Sequence, residues 1–257
     1  MYKVFETTGF DQVIPLEVVS EDISTYLNLS FKDFLRKKAE TAPDAVAMAD
    51  ERSVYTWKDI DIYSQIIAEG LSAKGVKQGT HVAICGINSV NWVLTFFATQ
   101  KLGAITQLLN FNMCASEVAT VAKIADITHF CYGAMPEMKD EAAFIYEIKS
   151  TDCPLKEYIS IKNDRQDIRE RRGEYKAIQH KFADHVEADD PCVMIFTSGS
   201  TGRPKGGLLS AYNILNAANT NYKDQTLTAE DRTCLILPLF HIFGLKERCH
   251  SKNTEIR

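Results

Sequence analysis

The sequence predicts an α/β fold built on a largely parallel sheet, and three observations carry that prediction. Helix-period stretches alternate with short apolar runs between Thr56 and Tyr132. The short runs lack polar alternation, as strands covered on both faces do. A further apolar run, Val193-Met194-Ile195-Phe196, leads straight into a glycine-rich loop.

The first helix opens at Thr56, which with Asp59 resembles a capping box: the hydroxyl accepts an amide and the carboxylate reaches back. Trp57, Ile60, Tyr63, Ile67 and Leu71 recur at three- and four-residue intervals, so one face is marked for burial. Gly75 can end that helix in a left-handed conformation. Val82-Ala83-Ile84-Cys85 reads as a buried strand, and Asn88 or Ser89 supplies the cap of the helix carrying Trp92, Phe96 and Phe97, which stops at Gly103. Ile105 to Leu109 reads as the next strand. A helix near Glu117 to Ala125, capped by Ser116, and a strand across Ile127 to Tyr132 follow.

Residues 162–181 are densely charged with both signs interspersed, the pattern of a solvated connector or surface helix. The 29 basic and 34 acidic residues leave a formal charge of -5, so no concentrated basic face points to nucleic acid. Seven widely spaced cysteines form no CxxC pair and no zinc-like spacing with histidine; reduced, mostly buried thiols and no metal centre are expected. The start, Met1 to Gln12, carries Glu6 and Asp11 and no apolar core of a secretory signal. The most apolar run, Trp92 to Ala98, is far shorter than the roughly 20 residues that span a bilayer. A cytoplasmic protein without a membrane span is the expectation.

The strand at Val193 runs into Thr197-Ser198-Gly199-Ser200-Thr201-Gly202-Arg203-Pro204-Lys205-Gly206-Gly207. Four glycines among these eleven residues permit positive backbone angles and leave amides uncovered, so a polyanion can approach. Thr197, Ser198, Ser200 and Thr201 add hydroxyls, Lys205 a compact positive charge, and Pro204 a restraint on the bend before it. Ser210 can cap a helix carrying Tyr212, Leu215, Ala218 and Asn219, but Leu208-Leu209 intervene, so the anion site is mainly loop-built. The loop is not a P-loop of the Walker type: counted from Gly199, the second glycine position holds Pro204, and Lys205 is followed by Gly206.

These residues resemble the TSG-S/T-TG-x-PKG phosphate loop of the adenylate-forming superfamily of acyl-CoA synthetases, peptide-synthetase adenylation domains and luciferases. The resemblance extends to Tyr55-Thr56-Trp57, Gly75-Val76, Gly79, Asn88-Ser89, Lys101-Leu102-Gly103-Ala104, Leu109-Asn110, Asp189-Asp190 and Leu237-Pro238-Leu239-Phe240-His241-Ile242-Phe243-Gly244-Leu245. It implies the layered αβαβα N-terminal domain of that superfamily, incomplete, over residues 27–245. Residues 1–26 are then an N-terminal extension and residues 246–257 a divergent polar tail, read as a truncated or frameshifted end.

The resemblance further implies that Thr197, Ser198, Gly199, Ser200, Thr201, Gly202, Arg203, Pro204 and Lys205 contact the β- and γ-phosphates of ATP with Mg2+. It sets His241 beside the acyl and pantetheine pocket. Ala211 stands where many relatives carry a histidine, so no catalytic residue is assigned; Tyr212 and Phe240 are expected in the core. The implied chemistry is an acid-thiol ligase: a carboxylate attacks the α-phosphate of ATP, pyrophosphate leaves, and the thiol of CoA displaces AMP from the acyl-adenylate. The adenine, ribose, hinge and C-terminal-domain contacts of the family have no counterpart before Arg257. The expectation is a fragment inactive alone. The alternatives are a fragment of a carrier-protein-loading adenylation domain and a non-catalytic nucleotide-binding or interaction remnant.

Overall fold

The computed structural model describes residues 26–50, 53–133, 135–136, 139–161, 185–197, 205–224, 231–248 and 253–256. The charged segment 162–181 and all but residue 26 of the N-terminal extension lie outside the described residues.

Two sheets and seven helices are described. In chain order they are α1 (Phe31–Thr41), β1 (Val46–Asp50), β2 (Ser53–Thr56), α2 (Trp57–Ala73), β3 (His81–Cys85), α3 (Val90–Lys101), β4 (Ile105–Leu109), α4 (Ala115–Ile124) and β5 (His129–Tyr132). There follow α5 (Glu141–Lys149), β6 (Glu157–Ser160), β7 (Pro191–Thr197), β8 (Lys205–Ser210), α6 (Ala211–Asp224), β9 (Arg232–Leu235), α7 (Ile242–Arg248) and β10 (Asn253–Ile256).

The larger sheet has the order β6-β5-β3-β4-β7-β8, parallel except for the β7/β8 hairpin. The smaller has the order β2-β1-β10-β9, in which only β1/β2 is antiparallel. Helix α3 packs on β3 and β4 of one sheet and on β1 of the other, with α1 and α2 against it, so this layer lies between the sheets. Helices α4 and α5 cover the opposite face of the larger sheet through Val118, Val121, Phe144 and Ile148. The layered α/β architecture read from the sequence is therefore present. No helix among the described residues is long and apolar enough to cross a membrane.

The boundaries have the chemical causes the sequence predicts. Thr56 and Asp59 form the reciprocal capping box of α2, at 3.1 and 3.0 Å. Gly75 (φ 95°) and Gly103 (φ 65°) turn the chain in the left-handed region after α2 and α3. Of the two candidates before α3, Ser89 is the cap: its Oγ accepts from Trp92 N at 3.1 Å. The cap of α4 differs from the expected Ser116. The helix starts two residues earlier, and the Glu117 carboxylate accepts from the N–H of Cys114 at 2.8 Å, which secures the first turn from within.

Aromatic packing joins the three helices of the middle layer. Trp92 stacks on Phe96 (centroids 6.0 Å apart), Phe31 meets Phe96 edge-on at 5.1 Å, and Phe34 meets Trp57 at 6.0 Å. Burying each such ring contributes about 1.5–3 kcal/mol over leaving it exposed. A buried polar relay adds direction: Gln100 Nε2 donates to Thr106 Oγ1 at 2.8 Å and to the Cys192 carbonyl at 3.3 Å, tying α3 to β4 and β7.

The described residues of the segment 246–257 join the fold, which the sequence pattern did not show: α7 continues to Arg248, and β10 pairs in parallel with both β1 and β9. The thiols are less uniformly buried than expected. Cys85, Cys131 and Cys192 are buried and Cys153 half-buried, but Cys114 and Cys234 are exposed.

Candidate functional site

In a doubly wound sheet the loops after the strands' carboxyl ends form the crevice in which ligands bind. Here those loops follow Cys85, Leu109, Tyr132 and Thr197, with Cys85 and Leu109 side by side in the register of β3 and β4. Thr197, the first residue of the expected phosphate loop, therefore stands at this edge of the larger sheet.

Strand β7 carries Val193 buried and Met194, Ile195 and Phe196 half-buried, less covered than the apolar run implied, because it is followed at the sheet margin by β8. The antiparallel register pairs Thr197 with Lys205, Phe196 with Gly206 and Ile195 with Gly207. Strands β7 and β8 thus form an antiparallel pair in which Lys205 stands directly across from Thr197, exposed to solvent. Ser198, Gly199, Ser200, Thr201, Gly202, Arg203 and Pro204 lie outside the described residues.

Gly206 serves packing: a Cβ there would stand 3.2 Å from the Phe196 ring. Strand β8 went unrecognised in the sequence because its glycines hide the strand pattern of Leu208-Leu209. It separates the loop from α6, so the anion site does not rest on that helix's positive end. The N-terminus of α6 is closed instead by Ser210, whose Oγ accepts from Asn213 N at 3.2 Å while Asn213 Oδ1 accepts from Ser210 N at 3.0 Å.

The second predicted element, Leu237 to Leu245, reaches the same edge from β9. The His241 N–H donates to the Pro238 carbonyl at 3.0 Å and the Leu245 N–H to the His241 carbonyl at 3.1 Å, so His241 sits at the entry of α7. Its imidazole is exposed, accepts through Nδ1 from Phe243 N at 3.3 Å and stacks on the Phe243 ring at 5.6 Å. Gly244 is required by close approach, since a Cβ would fall 2.2 Å from the Pro238 oxygen.

Two residues fix this segment in place, and the sequence reading gave neither that role. Asn88 Nδ2 donates to the Leu237 carbonyl at 2.9 Å, and its Oδ1 accepts from Leu239 N at 2.8 Å. Phe111, in the loop after β4, meets Phe240 edge-on at 5.3 Å. Phe240 is thereby half-buried against the core, and Tyr212 is half-buried too, at 6.2 Å from Tyr26. The available signal was the doublet Asn88-Ser89: two cap-competent residues before one helix leave one side chain for other work.

The loop of Phe111 is itself pinned. Lys139 Nζ donates to the carbonyls of Phe111 and Met113 at 2.7 and 2.8 Å and lies 3.5 Å above the Phe144 ring. Desolvation lowers the pKa of this amine, opposed chiefly by the field of Cys85. Burial conversely pushes the Cys85 thiol up to about 12. The Cys85 thiol is therefore not tuned for proton transfer near neutrality.

Chemically, among the described residues of the hairpin, Lys205 offers an exposed cation, of the kind that pairs with an anionic group. Among the described residues no group of three or more His, Cys, Asp or Glu is placed to hold a metal ion.

Known proteins resemble the chain over most of its length. The sequence model of the AMP-binding enzymes matches residues 35–248. Indoleacetate–CoA ligase of Aromatoleum aromaticum is 30% identical over 199 residues, which is 71% of this chain and 35% of that protein. Feruloyl-CoA synthase of an Amycolatopsis species is 28% identical over 214 residues, 83% of this chain and 40% of that protein. The inhibitor-bound N-terminal domain of FACL13 from Mycobacterium tuberculosis superposes with a TM-score of 0.75 at 25% identity, over 90% of this chain and 57% of that one. The chain spans between 35% and 42% of the length of these and similar curated relatives.

Proposed function

The chain belongs to the AMP-binding enzyme family, whose model covers residues 35–248, and from that premise we propose that it supplies the phosphate-holding part of an ATP-dependent acid-thiol ligase. The observation that carries the proposal is the β7/β8 hairpin, which sets Lys205 across from Thr197 at the carboxyl edge of the sheet, the edge that the Asn88-held segment of His241 also reaches.

In this reading ATP and a carboxylic acid react to acyl-adenylate and pyrophosphate, and CoA takes the acyl group. Thr197, Ser198, Gly199, Ser200, Thr201, Gly202, Arg203, Pro204 and Lys205 hold the β- and γ-phosphates, with Mg2+ offsetting charge between them. Their work is to orient the chain of phosphates and to neutralise the departing pyrophosphate. His241, whose imidazole is exposed, borders the acyl side in this reading. Relatives named for an aryl acid and for indoleacetate support a small carboxylic acid as substrate class. A cytoplasmic setting belongs to the same reading.

The chain spans 40% or less of the curated relatives named above. We accordingly expect the isolated 257 residues to hold one end of the nucleotide weakly and to turn over no substrate. Calorimetry with MgATP and with magnesium pyrophosphate, alongside a pyrophosphate-exchange assay over a panel of carboxylic acids, tests this. Weak binding of both ligands without exchange is the expected result; absence of binding to either rejects the phosphate-holding role.

A further inference from the structure

We propose that Asn88 is a positioning residue, which fixes where His241 stands relative to the phosphate hairpin. The proposal rests on the ligase reading for its functional meaning, although its geometry stands without it.

Asn88 follows the carboxyl end of β3, a strand flanked by β5 and β4 in the interior of the larger sheet. Its side chain is not needed to start α3, because Ser89 caps that helix. Both faces of its amide go elsewhere: the NH2 donates to the Leu237 carbonyl at 2.9 Å, and more weakly to Leu235 at 3.5 Å, while the oxygen accepts from Leu239 N at 2.8 Å. Leu237 and Leu239 flank Pro238, which has no N–H and cannot join a ladder. A side chain that donates and accepts at once does for this stretch what a neighbouring strand would otherwise do.

From Leu239 the restraint passes directly to the histidine. Pro238 and His241 close one turn through the 3.0 Å bond, and Gly244 lets the first turn of α7 settle on the Pro238 carbonyl. The imidazole is then held in a stack on Phe243, with the ring planes 3° apart. Asn88 thus ties the His241 segment of one sheet to the interior of the other, on the edge where β7 ends. Aspartate could keep the Leu239 bond but would set an oxygen against the Leu237 carbonyl. Leucine would keep the shape and lose both bonds.

The test is histidine NMR on the complete 257-residue chain, comparing the parent protein with Asn88→Leu and Asn88→Asp, and using His241→Gln to assign the His241 signal. In the parent protein the ring current of Phe243 displaces that signal from the free-histidine position. Loss of the displacement in Asn88→Leu and partial loss in Asn88→Asp, with the signals of buried His129 and half-buried His81 unmoved, is the expected result. An unmoved His241 signal in a folded Asn88→Leu overturns the proposal. If Asn88→Leu does not fold, Asn88→Asp decides: a His241 shift alone supports the proposal, and an unmoved His241 signal, or shifts of all three histidines together, overturns it. Calorimetry with MgATP on the same parent sample keeps the two questions apart. Absent binding with a displaced His241 signal rejects the ligase reading and leaves the positioning role intact.

Discussion

Lys101 donates to the Asp61 carboxylate at 2.6 Å and to the Asp61 carbonyl at 2.8 Å, an ion pair with side-chain exposures of only 7% and 15% that bolts α3 to α2. Desolvation lowers the pKa of this lysine, and Asp61 is the first effect that opposes it. The charge is therefore held at a cost that its partner offsets. Removing one partner of such a pair typically costs about 3–5 kcal/mol, because the other charge stays buried. Asp61→Ala should destabilise the chain by that order in urea denaturation, and Asp61→Ala combined with Lys101→Met should recover part of the loss. An unchanged midpoint in Asp61→Ala would reject the pair as a structural bolt. Lys101 lies in the Lys101 to Ala104 stretch that marks the family, yet its amine points into the helix layer and not towards the substrate edge.

Glycine substitutions should divide by what surrounds them. An added Cβ at Gly86 would meet the Gly133 oxygen at 2.1 Å, and one at Gly244 the Pro238 oxygen at 2.2 Å, in both cases backbone that cannot swing aside. Gly86→Ala and Gly244→Ala should each cost about 1–3 kcal/mol, the range for overpacking. Gly70 is exposed within α2 and meets nothing within 4 Å, so Gly70→Ala should stabilise by about 0.5–1 kcal/mol. Thermal melts of the three variants test the division, and a common sign would contradict it.

Alkaline stability should report the buried thiols. Burial raises Cys85 and Cys131 from 9.0 to about 12, so the folded chain keeps these protons where the unfolded chain releases them. Their contribution is complete below pH 9 and is lost as the pH climbs towards 12. Each thiol adds a slope of about 1.4 kcal/mol per pH unit within that window. Lys101 acts oppositely, because a lowered amine pKa makes stability rise with pH up to the ordinary value. Comparison with Cys131→Ala isolates one thiol: urea titrations between pH 8 and 11 should show a shallower alkaline decline in the variant. Parallel curves would refute the assignment.

How much of this was legible in the sequence depended on whether a residue's role is local. The capping box at Thr56, the stops at Gly75 and Gly103 and the strands at Val82 and Ile105 are decided by neighbours within a few positions, and they appear where the pattern sets them. Strand β10 was missed because Asn253-Thr254-Glu255-Ile256 has no apolar run; its place comes from pairing with strands far away in the chain. The substituted cap of α4 shows the same limit on a small scale, since Glu117 rather than a hydroxyl decides where that helix begins. At the site, residue types carried an expectation of the chemistry of the loop and of His241, and the described part of it is the pairing of Thr197 with Lys205. The grips of Asn88 and Lys139 were invisible, because their partners are main-chain atoms, which every sequence contains.

Lys205 offers the most direct probe of the hairpin. It stands exposed across from Thr197, and its amine can swing towards any anion that enters the loop. A hydrogen bond to a charged partner contributes about 1.5–3 kcal/mol, so Lys205→Met should weaken binding of magnesium pyrophosphate roughly 10- to 150-fold. Lys205→Arg keeps the charge and should retain most of the affinity. The fold should barely notice, because exposed substitutions usually stay within about 0.5 kcal/mol. Screening supplies a second signature: with a Debye length of about 8 Å at 0.15 M salt, the gap between the parent protein and Lys205→Met should narrow as ionic strength rises. Calorimetric titrations at two salt concentrations, with a thermal melt of each variant, read both quantities. Equal affinity of the parent and Lys205→Met for pyrophosphate, at unchanged melting temperature, would remove this lysine from the site.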